Sequence, residues 1–83
     1  MTRKQYEIHR KIEELENLIE RYTDLFRANE DELARLRHGA GPSSYERIAE
    51  LMEENEGLER RIEEIKLEIE ALDKEWEKEA RGA

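Results

Sequence analysis

The sequence predicts an all-α fold, an antiparallel two-helix coiled-coil hairpin that pairs into a dimeric four-helix bundle. Three observations carry that expectation. Ala, Glu, Lys, Leu and Arg supply 51 of the 83 residues, a composition typical of long helices and coiled coils. Apolar residues recur at alternating intervals of three and four in both halves of the chain, which is the heptad signature. One helix-breaking stretch, HGAGPSS at 38–44, divides the chain near its centre.

The first helix is expected over about 3–38. Its stripe is Ile8, Ile12, Leu15, Ile19, Tyr22, Phe26, Leu33 and Leu36, with Asn29 in the one vacant place. Taking Ile12 as a heptad a position puts Ile19, Phe26 and Leu33 at a, and Ile8, Leu15, Tyr22, Asn29 and Leu36 at d. A turn follows over 39–43, where Gly39 or Gly41 can end the helix in the left-handed conformation and Pro42 blocks its continuation. Ser43 with Glu46 reads as a capping box for a second helix, expected over about 44–80. Its stripe places Ile48, Asn55, Ile62, Ile69 and Trp76 at a, and Leu51, Leu58, Ile65 and Leu72 at d.

A short turn makes the two helices antiparallel neighbours, so an a layer faces a d layer. Pairing Leu36 with Ile48 makes the residue numbers across the seam total 84, and the same total matches every apolar layer out to Ile8 and Trp76. It also sets Asn29 opposite Asn55. One amide buried against hydrocarbon costs about 1–3 kcal/mol, whereas two facing amides satisfy each other. The pair is therefore expected to fix the register of the hairpin.

Outside the seam, Leu18 and Leu25 occupy g positions of the first helix and widen the apolar face around Tyr22, at the middle of a rod of about 32 residues per helix, roughly 48 Å long. An apolar patch at the midpoint suits a two-fold axis, so Leu18, Tyr22 and Leu25 form the expected dimer or partner patch. The stems of Arg61 and Glu68 across the seam would cover these leucines in part. Tyr45 and Met52, at e positions near the turn, are expected to seal the end of the seam or, with Leu36, to make an apolar patch at the tip. Leu67 at f is expected to face outward.

The net charge of −8 is uneven, −1 over residues 1–38 and −7 over 39–83. Residues 46–59 alone carry six Glu and one Arg, with Glu46, Glu50, Glu53 and Glu56 forming an outward acidic face. Such a surface repels phosphates, which argues against direct nucleic-acid binding. An RNA-binding helical bundle would share only the hairpin architecture. At the other end, Lys11 is expected near Glu68 and Glu75, and His9 near Asp73, with Gln5 and Glu79 at a frayed end of the seam. No apolar run approaches the ~18 residues of a membrane span. The amino terminus lacks an apolar signal core, so a soluble, cytoplasmic location is expected.

The chain contains no Cys, and its two histidines, His9 and His38, fall at opposite ends of the rod. No metal site, cofactor site or catalytic constellation is expected from that pattern. The function expected is a non-enzymatic protein–protein interaction or assembly module, a rigid hairpin that forms a homodimer, docks another protein, or both. The alternative is a small acidic inhibitor that occupies a basic, nucleic-acid-binding groove on a target protein. Paired amides, a mid-rod leucine patch and an acidic face are what the residues offer.

Overall fold

A computed structural model describes residues 1–39, 41 and 44–82. It shows an extended helical hairpin in which α1 (Arg3–Gly39) and α2 (Ser44–Gly82) pack antiparallel against each other. The rod measures 63 × 14 × 13 Å between Cα extremes, with a radius of gyration of 18.7 Å. A compact domain of this length would have a radius near 12 Å. The rod exceeds the 48 Å expected because α1 and α2 contain 37 and 39 residues, extending through Gly39 and Gly82.

Gly39 does not end α1 in the left-handed conformation, and among the described residues no glycine has a positive φ. Gly39 instead continues α1, and the amide of Ser44 donates to the carbonyl of Gly41 at 3.0 Å as α2 begins. Pro42 and Ser43, the expected stop and cap, lie outside the described residues. Glu46 occupies the first turn of α2, where the positive end of the helix dipole favours a carboxylate.

The opposite end is better ordered than a frayed terminus. The amide of Thr2 donates to Gln5 Oε1 at 2.9 Å, and the amide of Gln5 donates to Thr2 Oγ1 at 3.1 Å. This reciprocal arrangement is a capping box: each side chain satisfies a backbone donor that the first helical turn leaves without a carbonyl. Gln5 is buried as a result. Lys4 then reaches across to Glu79 at 3.1 Å, closing the end of the seam that the cap begins.

Between these ends burial follows the heptad. Gln5, Ile8, Ile12, Leu15, Leu33, Leu51, Asn55 and Ile65 are buried, and every other a or d residue from Ile19 to Trp76 is half-buried. Ile65 and Leu51 are fully enclosed. Ile19, Tyr22, Phe26, Leu58 and Ile62, the large side chains of the middle, are only half covered. Two helices present one side chain each per layer, and nothing lies above or below a mid-rod aromatic ring to complete its burial. Leu67 stays 65% exposed, as an f position requires.

The layer assignment has a direct check. Ile65→Ala removes a side chain with no exposure and should cost about 2–5 kcal/mol. Leu67→Ala, two residues away on the outer face, should change stability by less than about 0.5 kcal/mol. Urea unfolding followed by circular dichroism measures both, and equal effects would refute the seam register.

Candidate interaction surface

A polar layer inside the rod is built from the two helices at once. Asn29, half-buried at d of α1, donates from Nδ2 to Oδ1 of Asn55 at 2.9 Å. Asn55, at a of α2, is 5% exposed and donates from its own Nδ2 to Glu30 Oε1 at 3.1 Å. The amide of Asn55 thus bridges two side chains of α1, and Glu30 is a partner that the heptad alone does not disclose. Glu30 lies at e, one residue beyond Asn29, within reach of the seam edge. No buried side-chain nitrogen or oxygen among the described residues lacks a hydrogen-bond partner.

The two long sides of the rod differ. On the side bearing the g positions, Leu18 is half-buried and Leu25 is 49% exposed. Arg61 stands opposite them on α2, its Nη1 3.1 Å from Glu64 Oε2 on its own helix, and it also reaches Tyr22 across the seam. That carboxylate holds the guanidinium above its ordinary value. Leu25 therefore stays open in the middle of this side, next to half-buried Tyr22. Toward the tip the same side carries Glu32, whose oxygens are 3.2 and 3.3 Å from nitrogens of Arg47. Arg47 also reaches Glu50 Oε2 at 3.3 Å.

On the other side, Thr23 at e is too short to cover Phe26 and Ile62. An open cleft of about 390 Å³ results, lined by Thr23, Phe26, Glu59, Ile62, Glu63 and Lys66. A second, of about 200 Å³, continues it toward the tip past Met52 and Asn55. The sequence signal was a small polar residue flanked by a large a-position aromatic, and its weight is visible only once the helices are paired.

Tyr45 and Met52 do not seal the seam. They remain 67% and 47% exposed, while Leu36 is half-buried. The tip residues thus form an open surface rather than a plug. Glu46, Glu53 and Glu56 are exposed, as is Glu50 despite its contact with Arg47. At the other end, His9 pairs with Glu13 on its own helix at 3.2 Å rather than with Asp73. An i,i+4 partner is always one helical turn away, whereas a cross-seam partner requires an extended reach. Among the described residues, the cross-helix ion pairs are Lys4–Glu79 and Arg47–Glu32, and Lys11 takes part in neither.

Lys4 is held above its ordinary 10.5 by its hydrogen bond to Glu79 and then by that carboxylate's charge. A lysine raised on folding lends stability that is complete below its unfolded value and is lost as the pH climbs through the folded one. The Lys4 side of this clamp is therefore fully protonated at neutral pH. No group of three or more His, Asp or Glu side chains among the described residues is placed to hold a metal ion. No described helix is long and apolar enough to cross a membrane.

The amide layer makes a distinctive double-mutant cycle. Asn29→Leu alone strands the Asn55 carbonyl oxygen against hydrocarbon and should cost about 1–3 kcal/mol, whereas Asn29→Leu with Asn55→Leu should equal or exceed wild-type stability. Thermal and urea unfolding of the four proteins measure the coupling, and a double variant that fails to fold would overturn the pairing. Comparison of the chain with protein-family models, with curated proteins and with solved structures found no match.

Proposed function

We propose that the protein is a non-enzymatic assembly module, a rigid coiled-coil rod that works by presenting the mid-rod face of Leu18, Tyr22 and Leu25 to another helical surface, first of all to a second copy of itself. The carrying observation is Leu25, a large aliphatic side chain 49% exposed beside half-buried Leu18 and Tyr22 at the centre of a thin rod. Single exposed leucines are ordinary, as Leu67 illustrates. A contiguous group bordering half-covered seam residues is a different object, because one contact would complete the burial of all of them.

The exposed area supports the same reading. The chain exposes 6527 Å², whereas a compact monomer of 10.0 kDa would expose about 5,200 Å². The excess is larger than the roughly 800 Å² that each partner contributes to a standard interface. A hairpin this thin gains much of its missing core by pairing into a four-helix bundle.

The acidic segment 46–59 supplies the competing reading, an inhibitor that fills a basic groove. Glu50 and Glu32 are drawn into pairs with Arg47, which interrupts the anionic row that phosphate mimicry needs. The two readings separate by salt, since apolar packing is insensitive to it and charge-driven docking is not.

Light scattering coupled to size exclusion should give twice 10.0 kDa for the wild-type chain at both low and high salt. Leu18→Gln with Leu25→Gln should return the mass to a single chain and lower the thermal midpoint while helical circular dichroism persists. A wild-type particle of one chain's mass would refute self-association and turn attention to a different protein on the same face.

A further inference from the structure

We infer that two copies pack antiparallel through the g-position side of α1, related by a two-fold axis across the middle of the rod, with their turns at opposite ends. This deepens the self-association proposed above and rests on it.

The g positions of α1 are Lys4, Lys11, Leu18, Leu25, Glu32 and Gly39. Laid antiparallel on a second copy of itself, this row matches. Leu18 meets Leu25 of the second copy, Leu25 meets Leu18, and on either flank Lys11 meets Glu32. The axis then falls between Arg21 and Tyr22, the centre of the apolar patch. Lys11 is available for this role because, among the described residues, the cross-helix ion pairs within the hairpin are Lys4–Glu79 and Arg47–Glu32. Glu32 is held by Arg47, but Arg47 is shared with Glu50, so the three side chains together remain net negative toward an incoming lysine.

The parallel alternative sets α1 of one copy against α2 of the other. Leu18 and Leu25 would then face Glu54, Arg61 and Glu68, the g positions of α2, and would desolvate charges without gaining an apolar partner. Parallel packing also places the two acidic segments 46–59 side by side, each with a net charge of −5. Antiparallel packing holds their centres roughly 30 Å apart at the rise of a helix, beyond the screening length at physiological salt.

The opposite side of the rod does not offer the same match. Its b positions on α2 include Glu56, Glu63, Glu70 and Glu77, so a second copy laid antiparallel there would oppose carboxylate to carboxylate. On the g-position side, the adjacent c row of α2 contains the small residues Gly57 and Ala71. A Cβ built on Gly57 meets nothing within 4 Å inside the hairpin, so packing between the two helices does not require glycine there. Small residues in this row leave room for the second copy's α2.

The chain has no Cys, which makes cross-linking clean. Lys11→Cys and Glu32→Cys variants would be mixed in equal amounts, exchanged, and oxidised in a glutathione buffer, alongside light scattering of the unmodified chain. The expected product is the mixed 11–32 disulfide, dominating over 11–11 and 32–32. Dominance of the two like pairs in a particle of twice the chain mass would overturn the antiparallel arrangement while leaving self-association standing. A particle of that mass with no disulfide would also overturn it. A single-chain mass with no cross-link would instead remove the self-association on which the inference rests.

Discussion

The hydrogen bond between Asn29 and Asn55 is the constraint on which the other features of this hairpin depend. Leucine and isoleucine layers are nearly interchangeable, so a seam made only of them could slide by a heptad at modest cost. An amide layer is not interchangeable with its neighbours. Moving it one layer sets each amide against hydrocarbon, with a desolvation penalty of about 1–3 kcal/mol per stranded group. The 2.9 Å contact and the second bond from Asn55 to Glu30 therefore select one alignment. That alignment in turn decides what the surface looks like. It sets Arg47 beside Glu32 and Lys4 beside Glu79, and it places Leu18 and Leu25 across from Arg61 rather than from another leucine.

A second constraint is the scarcity of apolar residues, 36% of the chain. Most of the large ones fall on one stripe per helix, and the result is a rod 14 × 13 Å across its Cα atoms. In so narrow an object burial is uneven even among side chains of one size. Ile8, Ile12, Leu15, Leu33, Leu51 and Ile65 are buried, whereas Ile19, Leu36, Ile48, Leu58, Ile62, Ile69 and Leu72 are half-buried. Tyr22 and Phe26 are half-buried as well. The sequence thus places these two rings in adjacent half-covered layers at mid-rod, and adds Leu18 and Leu25 on one side of the same region.

The heptad, the division at residues 38–44 and the facing asparagines were legible because each is a matter of spacing, and spacing survives folding unchanged. What escaped depends on choices among neighbours. Gln5 by its polarity suggests a frayed end, whereas Thr2 three residues earlier makes it half of a T-x-x-Q capping box. His9 has carboxylates within reach on both helices, and the intrahelical Glu13 wins because its distance is set by the helix itself. Tyr45 and Met52 were placed at the right heptad positions, yet an e position at the tip has little opposite it, and both side chains remain open. The cleft beside Thr23 follows from the absence of bulk at one position, which a search for apolar residues passes over.

Charge decides between the two sides of the rod more sharply than hydrophobicity does. Both sides expose apolar surface, one at Leu25 and the other in the cleft over Phe26 and Ile62. The cleft is lined by Glu59, Glu63 and Lys66, and its side of α2 carries the row Glu56, Glu63, Glu70 and Glu77, which would oppose like charge in an antiparallel pair. The leucine side is segregated, with Lys4 and Lys11 toward one end of α1 and Glu32 toward the other. In the antiparallel pairing proposed above, Lys11 of each copy would meet Glu32 of the other, and aliphatic surface would meet at the centre. Electrostatics of this kind adds little affinity at exposed positions, on the order of 1 kcal/mol per pair or less. Its weight lies in discrimination, since it penalises the wrong face and the wrong direction while the leucines supply the attraction.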